Sequence, residues 1–295
     1  MPALIQVSDE VATALAEKRA VVALETTLVA HGFPAPEGVS VGLECERRVR
    51  EAAAVPATIG VLDGAIRVGL GVDELSRFTA DARKLGPRDL AACAVQGAVG
   101  ATTAGGTLAV AGTVGIRFLG TGGLGGVHRG FPAPPDVSAD LGELARIPAL
   151  VVSSGVKSLL DVGATAELLE SLGVPVLGWR TDTLPLFYAA EGGPPVPARV
   201  ETAEEAARIA AAHWGLGGAS LLVGNPPPES IDVEPLIDQA LVLAQREGVS
   251  GQDVTPFVLS HLHAASGVET LRVNRELIAA NAGLAAEIAV ALATP

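Results

Sequence analysis

The alternation of short apolar runs with helical segments is the feature that most constrains how this chain folds. Apolar runs of the length of buried strands occupy residues 20–24, 57–62, 116–119, 149–152, 175–178 and 220–223. Helical patterns occupy residues 8–18, 37–54, 73–82, 138–146, 156–172 (with a break at Gly163) and nearly all of 235–292. Strands that alternate with helices form a mostly parallel sheet with helices on both faces. The sequence therefore predicts an α/β protein of three layers, α/β/α, around a central sheet.

One turn signal predicts that this central sheet is mixed. Residues 57–62 and 66–68 are apolar and flank Asp63-Gly64, a pair that favours the tight turn of an antiparallel hairpin. We therefore expect a mixed, mostly parallel sheet. The sequence has no internal repeat, and its proline-rich stretches are too short to be linkers, so we predict a single domain over residues 1–295.

The charge of the chain excludes several classes of partner. Its 33 acidic and 20 basic residues give a formal net charge of −13 at pH 7. Because affinity for nucleic acids depends on Lys and Arg neutralising phosphates, we expect no nucleic-acid binding and no attachment to an anionic membrane. A small phosphorylated ligand is compatible with this charge, since a few cations and backbone N–H groups can bind it inside a pocket.

Two further features predict a cytoplasmic protein. The stretch Leu90–Ile116 is uncharged and long enough to span a bilayer, but it contains six glycines and few bulky side chains. Such a run packs well where helices lie close to a sheet, so we expect no membrane span. Cys45 and Cys93 lack the spacing of a metal or redox motif, and we expect them to be small buried side chains in a reducing compartment.

The glycine-rich loop GTGGLGGVHRG is compatible with two functions. Gly120, Gly122 and Gly125 match the glycines of a dinucleotide-binding loop after a strand. That site also needs a helix to begin at the third glycine, and the prolines and glycines of the following GVHRGFPAPPD forbid one. Either the loop brings backbone N–H groups to an anion, with His128 and Arg129 beside it, or it is a plain connection.

Lysine is rare in this chain, which makes its positions informative. The lysines are Lys18, Lys84 and Lys157, against 17 arginines. Lys157 follows a predicted buried strand in ALVVSSGVKSLLDVG, and burial there would disfavour its charged ammonium form. A neutral amine can attack an electrophilic carbon and form a Schiff base, which an arginine cannot do. The alternative is a structural lysine whose ammonium group reaches water.

Three acidic residues are candidates for chemistry. Glu25 ends the first predicted buried strand, at the carboxyl edge where open α/β sheets bind their ligands. Asp136 and Asp140 lie four residues apart at the start of a predicted helix. On spacing alone these aspartates are best explained as helix caps. The alternative is a site for a hard cation such as Mg²⁺ or Mn²⁺, which prefers carboxylate and water oxygens.

The order of several segments along the chain resembles one protein family. These segments are ALETTLVAHGFPAPEG, PATIGVLDGAIRVGL, Lys84 with Arg88-Asp89-Leu90, GTGGLGGVHRG, DVSADLGELAR, SSGVKSLLD and NRELIAANAGLAAEIAVAL. They run in order from about residue 20 to residue 292 and together resemble pseudouridine-5′-phosphate glycosidase, a family also described as indigoidine synthase A-like. One segment alone would show little, whereas the ordered set is specific.

The resemblance implies an activity, a cofactor and an assembly. The activity is the reversible cleavage of the C–C glycosidic bond of pseudouridine 5′-phosphate to uracil and ribose 5-phosphate. The implied cofactor is one divalent cation, usually Mn²⁺, with Mg²⁺ as the alternative. The implied assembly is a homotrimer, and the implied partners are the small-molecule substrate and products.

The resemblance also implies roles for individual residues. Lys157 matches the nucleophilic lysine of the family, Glu25 its proton donor and Asp136 its metal ligand. Positions that match substrate-contacting residues or motifs are Lys84, Ala104, Ser138, Ala139, Asp140, Thr121, His128 and Asn281. After Lys84 the chain has Leu-Gly-Pro-Arg-Asp where the family more often has a serine and paired arginines, so we expect different phosphate contacts there.

The implied reaction suits an amine better than a pair of carboxylates, because a C–C glycosidic bond has no leaving oxygen to protonate. Our hypothesis is that Glu25 protonates the ribose ring oxygen, Lys157 adds at C1′, and uracil leaves as its C5 is protonated. Two alternatives remain: a Schiff-base aldolase or lyase for another sugar phosphate, and a sugar-phosphate-binding protein without catalysis.

Overall fold

The computed structural model of the protein describes residues 4–129, 136–157, 159–249 and 254–293. The strands are β1 (Ile5–Val7), β2 (Val21–Glu25), β3 (Val55–Leu62), β4 (Ala65–Val68), β5 (Arg83–Leu85), β6 (Gly100–Thr102), β7 (Phe118–Gly120), β8 (Val127–His128), β9 (Leu150–Ser153), β10 (Leu160–Asp161), β11 (Val176–Trp179), β12 (Ala198–Val200) and β13 (Leu221–Gly224). The helices are α1 (Asp9–Ala16), α2 (Thr27–His31), α3 (Glu37–Glu51), α4 (Val72–Leu75), α5 (Leu90–Val95), α6 (Ala104–Thr113), α7 (Ala139–Leu144), α8 (Val162–Ser171), α9 (Ala203–Gly215), α10 (Glu234–Glu247), α11 (Val254–Ser266) and α12 (Glu269–Ala293). A 3-10 turn, Pro87–Asp89, precedes α5.

Within the described part of the chain, eleven strands form one sheet, and their order confirms the predicted mixed, mostly parallel arrangement. The order is β1-β4-β3-β2-β7-β9-β13-β11-β12, and β6 pairs with β3 and β5. The strands from β2 through β7, β9 and β13 to β11 are parallel to one another, whereas β3 is antiparallel to β4 and β6. Strands β8 and β10 form a separate antiparallel pair.

The hairpin between β3 and β4 forms at the predicted turn. Asp63 and Gly64 both have positive φ angles, 51° and 76°. This conformation matches the twist of the flanking strands, and glycine and aspartate tolerate it better than most residues. The turn thereby makes β4 antiparallel to β3, which explains why the sheet is mixed.

Helices pack on both faces of the sheet. Helix α12 packs on β2, β7 and β9 and against α3 and α9. Helix α6 packs on β2 and β3 and against α7. Every residue of β2 and β3 is buried. Strands buried on both faces have continuous apolar runs instead of alternating ones, which is the pattern that the sequence shows.

Two segments are long and apolar enough to span a membrane, and burial in the core explains their composition. The uncharged stretch Leu90–Ile116 divides into α5, β6 and α6, as expected for a segment that does not span a membrane. Among the described helices, α12 is long and apolar enough to cross a bilayer, with a mean hydropathy of 1.6, but 56% of its most apolar window is buried inside the protein. Cys45 and Cys93 are buried, as predicted, and form no disulfide.

Two predicted helices are wrong in part. The helix predicted over 73–82 ends at Leu75, and the following chain turns to place Phe78 in the core. The helix predicted over 156–172 begins only at Val162, because the Asp161 carboxylate accepts a hydrogen bond from the backbone N–H of Ala164 and caps the first turn. The segment before Asp161 pairs with the glycine-rich loop instead.

Candidate active site

A cavity of about 810 Å³ opens at the carboxyl edge of the sheet. Its walls come from the segments that follow the parallel strands β2, β7 and β9, from residues in and after the oppositely directed β5 and β6, and from α11 and α12. Because parallel strands bring their carboxyl ends to the same edge, residues that are distant in sequence meet there. This placement is the one expected for the ligand site of an open α/β sheet.

Most of the predicted site residues lie in the wall of this one cavity. Those that line it are Glu25, Lys84, Ala104, His128, Asp136, Ser138, Ala139, Asp140 and Lys157. Thr121 and Asn281 are completely buried and do not line the cavity. The structure therefore separates the predicted residues into a group that can touch a ligand and a group that can act only through other residues.

The backbone around Lys157 is fixed on two sides. The Lys157 N–H donates to the carbonyl of Leu124, and the Leu124 N–H donates to the carbonyl of Gly155. Gly155 has a φ of 78°, and a Cβ there would lie 1.9 Å from the carbonyl oxygen of Pro185, so that only glycine fits. This rigid turn presents a half-buried amine to the cavity.

The glycine-rich loop lacks the helix of a dinucleotide-binding loop, and its glycines pack against other parts of the protein. No helix begins at Gly125, since β8 follows, which confirms the prediction that no helix starts at the third glycine. A Cβ on Gly120 would lie 2.8 Å from Ala282 Cα in α12, and a Cβ on Gly123 would lie 2.4 Å from the Phe187 ring. The glycines thus allow α12 and the Phe187 ring to pack directly on the loop.

The Glu25 carboxylate is held by two hydroxyl groups. Thr121 Oγ1 donates to Glu25 Oε1, and Thr27 Oγ1 donates to Glu25 Oε2. Glu25 is only 7% exposed, although it lines the cavity. A buried carboxylate needs such partners, because an unpaired charge away from water is costly. Thr121 therefore hydrogen-bonds to the predicted proton donor but does not line the cavity.

Asp140 binds two separate segments of backbone. Its Oδ1 accepts from the Gly105 N–H at 2.7 Å, and its Oδ2 accepts from the Gly125 N–H at 2.9 Å. The start of α6 is thereby joined to the glycine-rich loop across the cavity floor. The helix cap that the sequence assigned to the aspartates belongs to Ser138, whose Oγ accepts from the Asp140 N–H. Each Asp140 oxygen accepts one of these hydrogen bonds and can accept another, and Asp140 lines the cavity, so its expected contact with substrate stays a prediction.

His128 and Asp136 face each other at the cavity wall. His128 Nδ1 lies 3.5 Å from Asp136 Oδ2, and the His128 N–H donates to the Asp136 carbonyl at 3.0 Å. Burial lowers the pKa of His128; the Asp136 carboxylate opposes this shift, and the charges of Lys84 and Lys157 add to it. Lys84 and Lys157 therefore lie close enough to the same imidazole to influence its pKa.

Asn281 does not line the cavity, whereas another asparagine of α12, Asn274, does. Asn281 Nδ2 donates to the Thr121 carbonyl at 2.8 Å and to Ser154 Oγ at 3.1 Å, and its Oδ1 accepts from Asn225. Asn281 thereby links the loops that follow β7, β9 and β13, and both polar atoms of its side chain take part in these hydrogen bonds. Asn274, two helical turns earlier in α12, lines the cavity, and its buried Oδ1 has no hydrogen-bond partner among the described residues.

Asn274 and His31 are cavity residues that the sequence analysis missed. The spacing of seven residues in NRELIAAN places Asn274 on the same helix face as Asn281, which was the available signal. His31 belongs to the quoted segment ALETTLVAHG and lines the cavity near Lys84. Burial and the charge of Lys84 lower the pKa of His31, and a hydrogen bond to the Ala82 backbone opposes this shift.

The fold and the site together define an α/β enzyme with an amine and a carboxylate in one carboxyl-edge cavity. The family model of indigoidine synthase A-like proteins matches residues 10–291, and this chain belongs to that family. Relatives include the pseudouridine-5′-phosphate glycosidases of Salinispora tropica, 49% identical over 96% of this chain and 90% of that protein, and of Sorangium cellulosum, 44% identical over 98% and 93%. The chain is thus a member of the pseudouridine-5′-phosphate glycosidase family.

Solved structures of related proteins have the same fold. The prealnumycin C-glycosynthase AlnA, crystallised with ribulose 5-phosphate, superposes with a TM-score of 0.89 at 40% identity, over 99% of this chain and 98% of that one. An indigoidine synthase A-like protein from Thermotoga maritima superposes with a TM-score of 0.87 at 36% identity, over 98% and 97% of the two chains. Both comparisons confirm the predicted α/β architecture.

The two hydrogen bonds of Asp140 generate a stability prediction. In Asp140→Asn one carboxylate oxygen becomes an NH₂ group that faces a backbone N–H, whichever way the amide is turned. We expect a loss of about 1–3 kcal/mol in the free energy of unfolding, because one buried donor then has no acceptor. Chemical denaturation measures it, with Asp182→Asn as the matched control, since the Asp182 side chain is 80% exposed. Equal stability of Asp140→Asn and the wild type would contradict the assignment.

Proposed function

We propose that this protein catalyses the reversible cleavage of pseudouridine 5′-phosphate to uracil and ribose 5-phosphate through a Schiff base on Lys157. The observation that supports this proposal most is that the half-buried Lys157 and the hydroxyl-bound Glu25 line the same cavity. The names of the curated relatives and the sugar phosphate in the AlnA crystal structure support the same substrate class.

The chemistry of the bond explains why an amine is needed. Hydrolysis of an ordinary glycoside proceeds by protonation of a leaving oxygen, with two carboxylates in the site. Here the leaving atom is C5 of uracil, a carbon that leaves only if electrons are pushed onto it and a proton is then added. An amine at C1′ supplies those electrons from its lone pair as the iminium ion forms.

The proposed steps assign one role to each of these two side chains. Glu25 gives a proton to the ribose ring oxygen while the C1′–O4′ bond breaks, with electrons supplied by the uracil ring. The Lys157 amine then adds to C1′ of the opened sugar. The proton that the nitrogen loses after addition passes to the Glu25 carboxylate, and Glu25 gives it to C5 as the C1′–C5 bond breaks and the nitrogen forms the iminium ion. Water hydrolyses the iminium ion, which releases ribose 5-phosphate and restores the amine.

The cations of the cavity fit a phosphorylated sugar. The cations are Lys84, which lies on β5, and Arg88, which lines the cavity with its side chain 86% exposed. His31 lies near Lys84, and because its pKa is lowered it serves as a hydrogen-bonding group and not as a cation. At the start of α6 the Gly105 N–H donates to Asp140 and the Gly106 N–H to Thr103 Oγ1, which leaves the Ala104 N–H for a ligand. We propose that these groups bind the 5′-phosphate, and that Asn274 hydrogen-bonds to the base through its unpaired Oδ1.

Asp136 fits a hydrated divalent cation and not a protein-enclosed metal. Among the described residues no cluster of three or more His, Cys, Asp or Glu side chains could hold a metal ion. Asp136 lines the cavity with its side chain 33% exposed, and Mn²⁺ or Mg²⁺ can bind through one carboxylate while keeping several waters. When bound, such an ion would order water and ligand oxygens beside the substrate. We propose this role for Asp136, together with assembly of the protein as a homotrimer in the cytoplasm.

The reaction can be tested in the synthetic direction. Wild-type protein incubated with uracil, ribose 5-phosphate and Mn²⁺ is expected to form a C-nucleotide detectable by mass spectrometry. In Lys157→Arg the rate is expected to fall at least about 1,000-fold, because a guanidinium cannot form the iminium ion. The matched control is Lys18→Arg, since Lys18 is exposed beyond the end of α1.

Three results would contradict this proposal. Wild-type protein that forms no C-nucleotide would exclude the reaction. Consumption of ribose 5-phosphate without any need for uracil would instead favour a Schiff-base lyase for another sugar phosphate. Thermal stabilisation by ribose 5-phosphate without any product would favour a binding protein.

The metal role of Asp136 predicts a dependence on divalent cations. We expect a chelator to abolish turnover and added Mn²⁺ to restore it. Asp136→Asn is expected to need an Mn²⁺ concentration at least about tenfold higher for half-maximal activity, because a neutral amide binds a hard cation more weakly than a carboxylate. Asp182→Asn is the control. Turnover that is unchanged by a chelator would contradict the role.

A further inference from the structure

The two hydroxyl groups that hold Glu25 differ in their surroundings. Thr121 is completely buried and lies outside the cavity wall, so its hydrogen bond holds Oε1 toward the protein interior. Thr27 is partly exposed and lines the cavity, so its hydrogen bond holds Oε2 on the cavity side. The Glu25 carboxylate therefore has a defined orientation, in which Oε1 faces the core and Oε2 lies next to the cavity.

The backbone that presents Thr27 is itself fixed. The neighbouring Thr26 donates its hydroxyl to the carbonyl of Ile59 at 2.8 Å and accepts from the Thr102 N–H at 2.9 Å. The Thr26 carbonyl also accepts from the Val29 and Ala30 N–H groups at the start of α2. The two adjacent threonines thus differ in role: Thr26 hydrogen-bonds to the backbone of β3 and β6, whereas Thr27 hydrogen-bonds to Glu25.

We infer that Thr27 is a positioning residue for proton transfer by Glu25, an inference that rests on the proposed function of the cavity. Its hydroxyl keeps Oε2 at the edge of the ligand space, so that the oxygen that exchanges a proton with the sugar is fixed before the substrate binds. Misplacement of a reacting group by about 1 Å can cost about 100-fold in rate, which is why a single hydroxyl matters here.

The matched pair Thr27→Val and Thr27→Ser tests this inference. Valine keeps the shape of threonine but removes the hydroxyl, whereas serine keeps the hydroxyl and removes a methyl group. We expect Thr27→Val to lower kcat by roughly 10–100-fold with KM within about threefold of the wild type, and Thr27→Ser to recover most of that loss. Thr113→Val is the control, because Thr113 is exposed and its hydroxyl bonds only within α6, to the Ala109 carbonyl.

A structural measurement separates this inference from the proposed function. Crystal structures of the wild type, Thr27→Val and Thr27→Ser need no substrate. We expect Glu25 Oε2 to leave its place beside residue 27 in the valine variant only. An unchanged Glu25 in Thr27→Val, or equal kcat in the valine and serine variants, would overturn the inference. If the wild type does not act on pseudouridine 5′-phosphate, the crystal structures still decide the role of Thr27.

Discussion

The Asp140 carboxylate is the interaction on which the geometry of the cavity depends. It accepts a hydrogen bond from Gly105 at the start of α6 and another from Gly125 in the glycine-rich loop. The same loop holds Lys157 through Leu124, and Asn281 fastens it to the segments after β9 and β13. The candidate nucleophile is therefore placed by a hydrogen-bonded network among loops. Because these partners are buried or partly buried, loss of one leaves others unsatisfied.

This arrangement explains how an acidic protein can use a sugar phosphate. The net charge of −13 is a property of the whole surface, whereas Lys84, Lys157 and the start of α6 face one cavity. The acidic side chains around them are largely engaged: Glu25 accepts from hydroxyl groups and Asp140 from backbone N–H groups. The local field that a ligand meets is thus set by a few cations and dipoles and not by net charge.

Much of the fold and part of the site could be predicted from sequence, and the limits have physical causes. The Asp63-Gly64 hairpin and the carboxyl-edge position of Glu25 follow from local rules of turn and strand chemistry. The roles of Asp140 and Asn281 could not be predicted, because their partners are backbone groups of segments far away in sequence. The helix predicted from residue 156 failed because pairing with the glycine-rich loop, a tertiary contact, outweighed local helical pattern.

The central claim is that the Lys157 amine reaches the anomeric carbon of a sugar phosphate. Borohydride reduction in the presence of ribose 5-phosphate, followed by peptide mass analysis, tests it most directly, since reduction converts an iminium ion to a stable amine. The account predicts a reduced sugar-phosphate adduct on the peptide that contains Lys157, with none on Lys18 or Lys84. A folded, Mn²⁺-supplied sample that shows no adduct, or an adduct on another lysine, would contradict it.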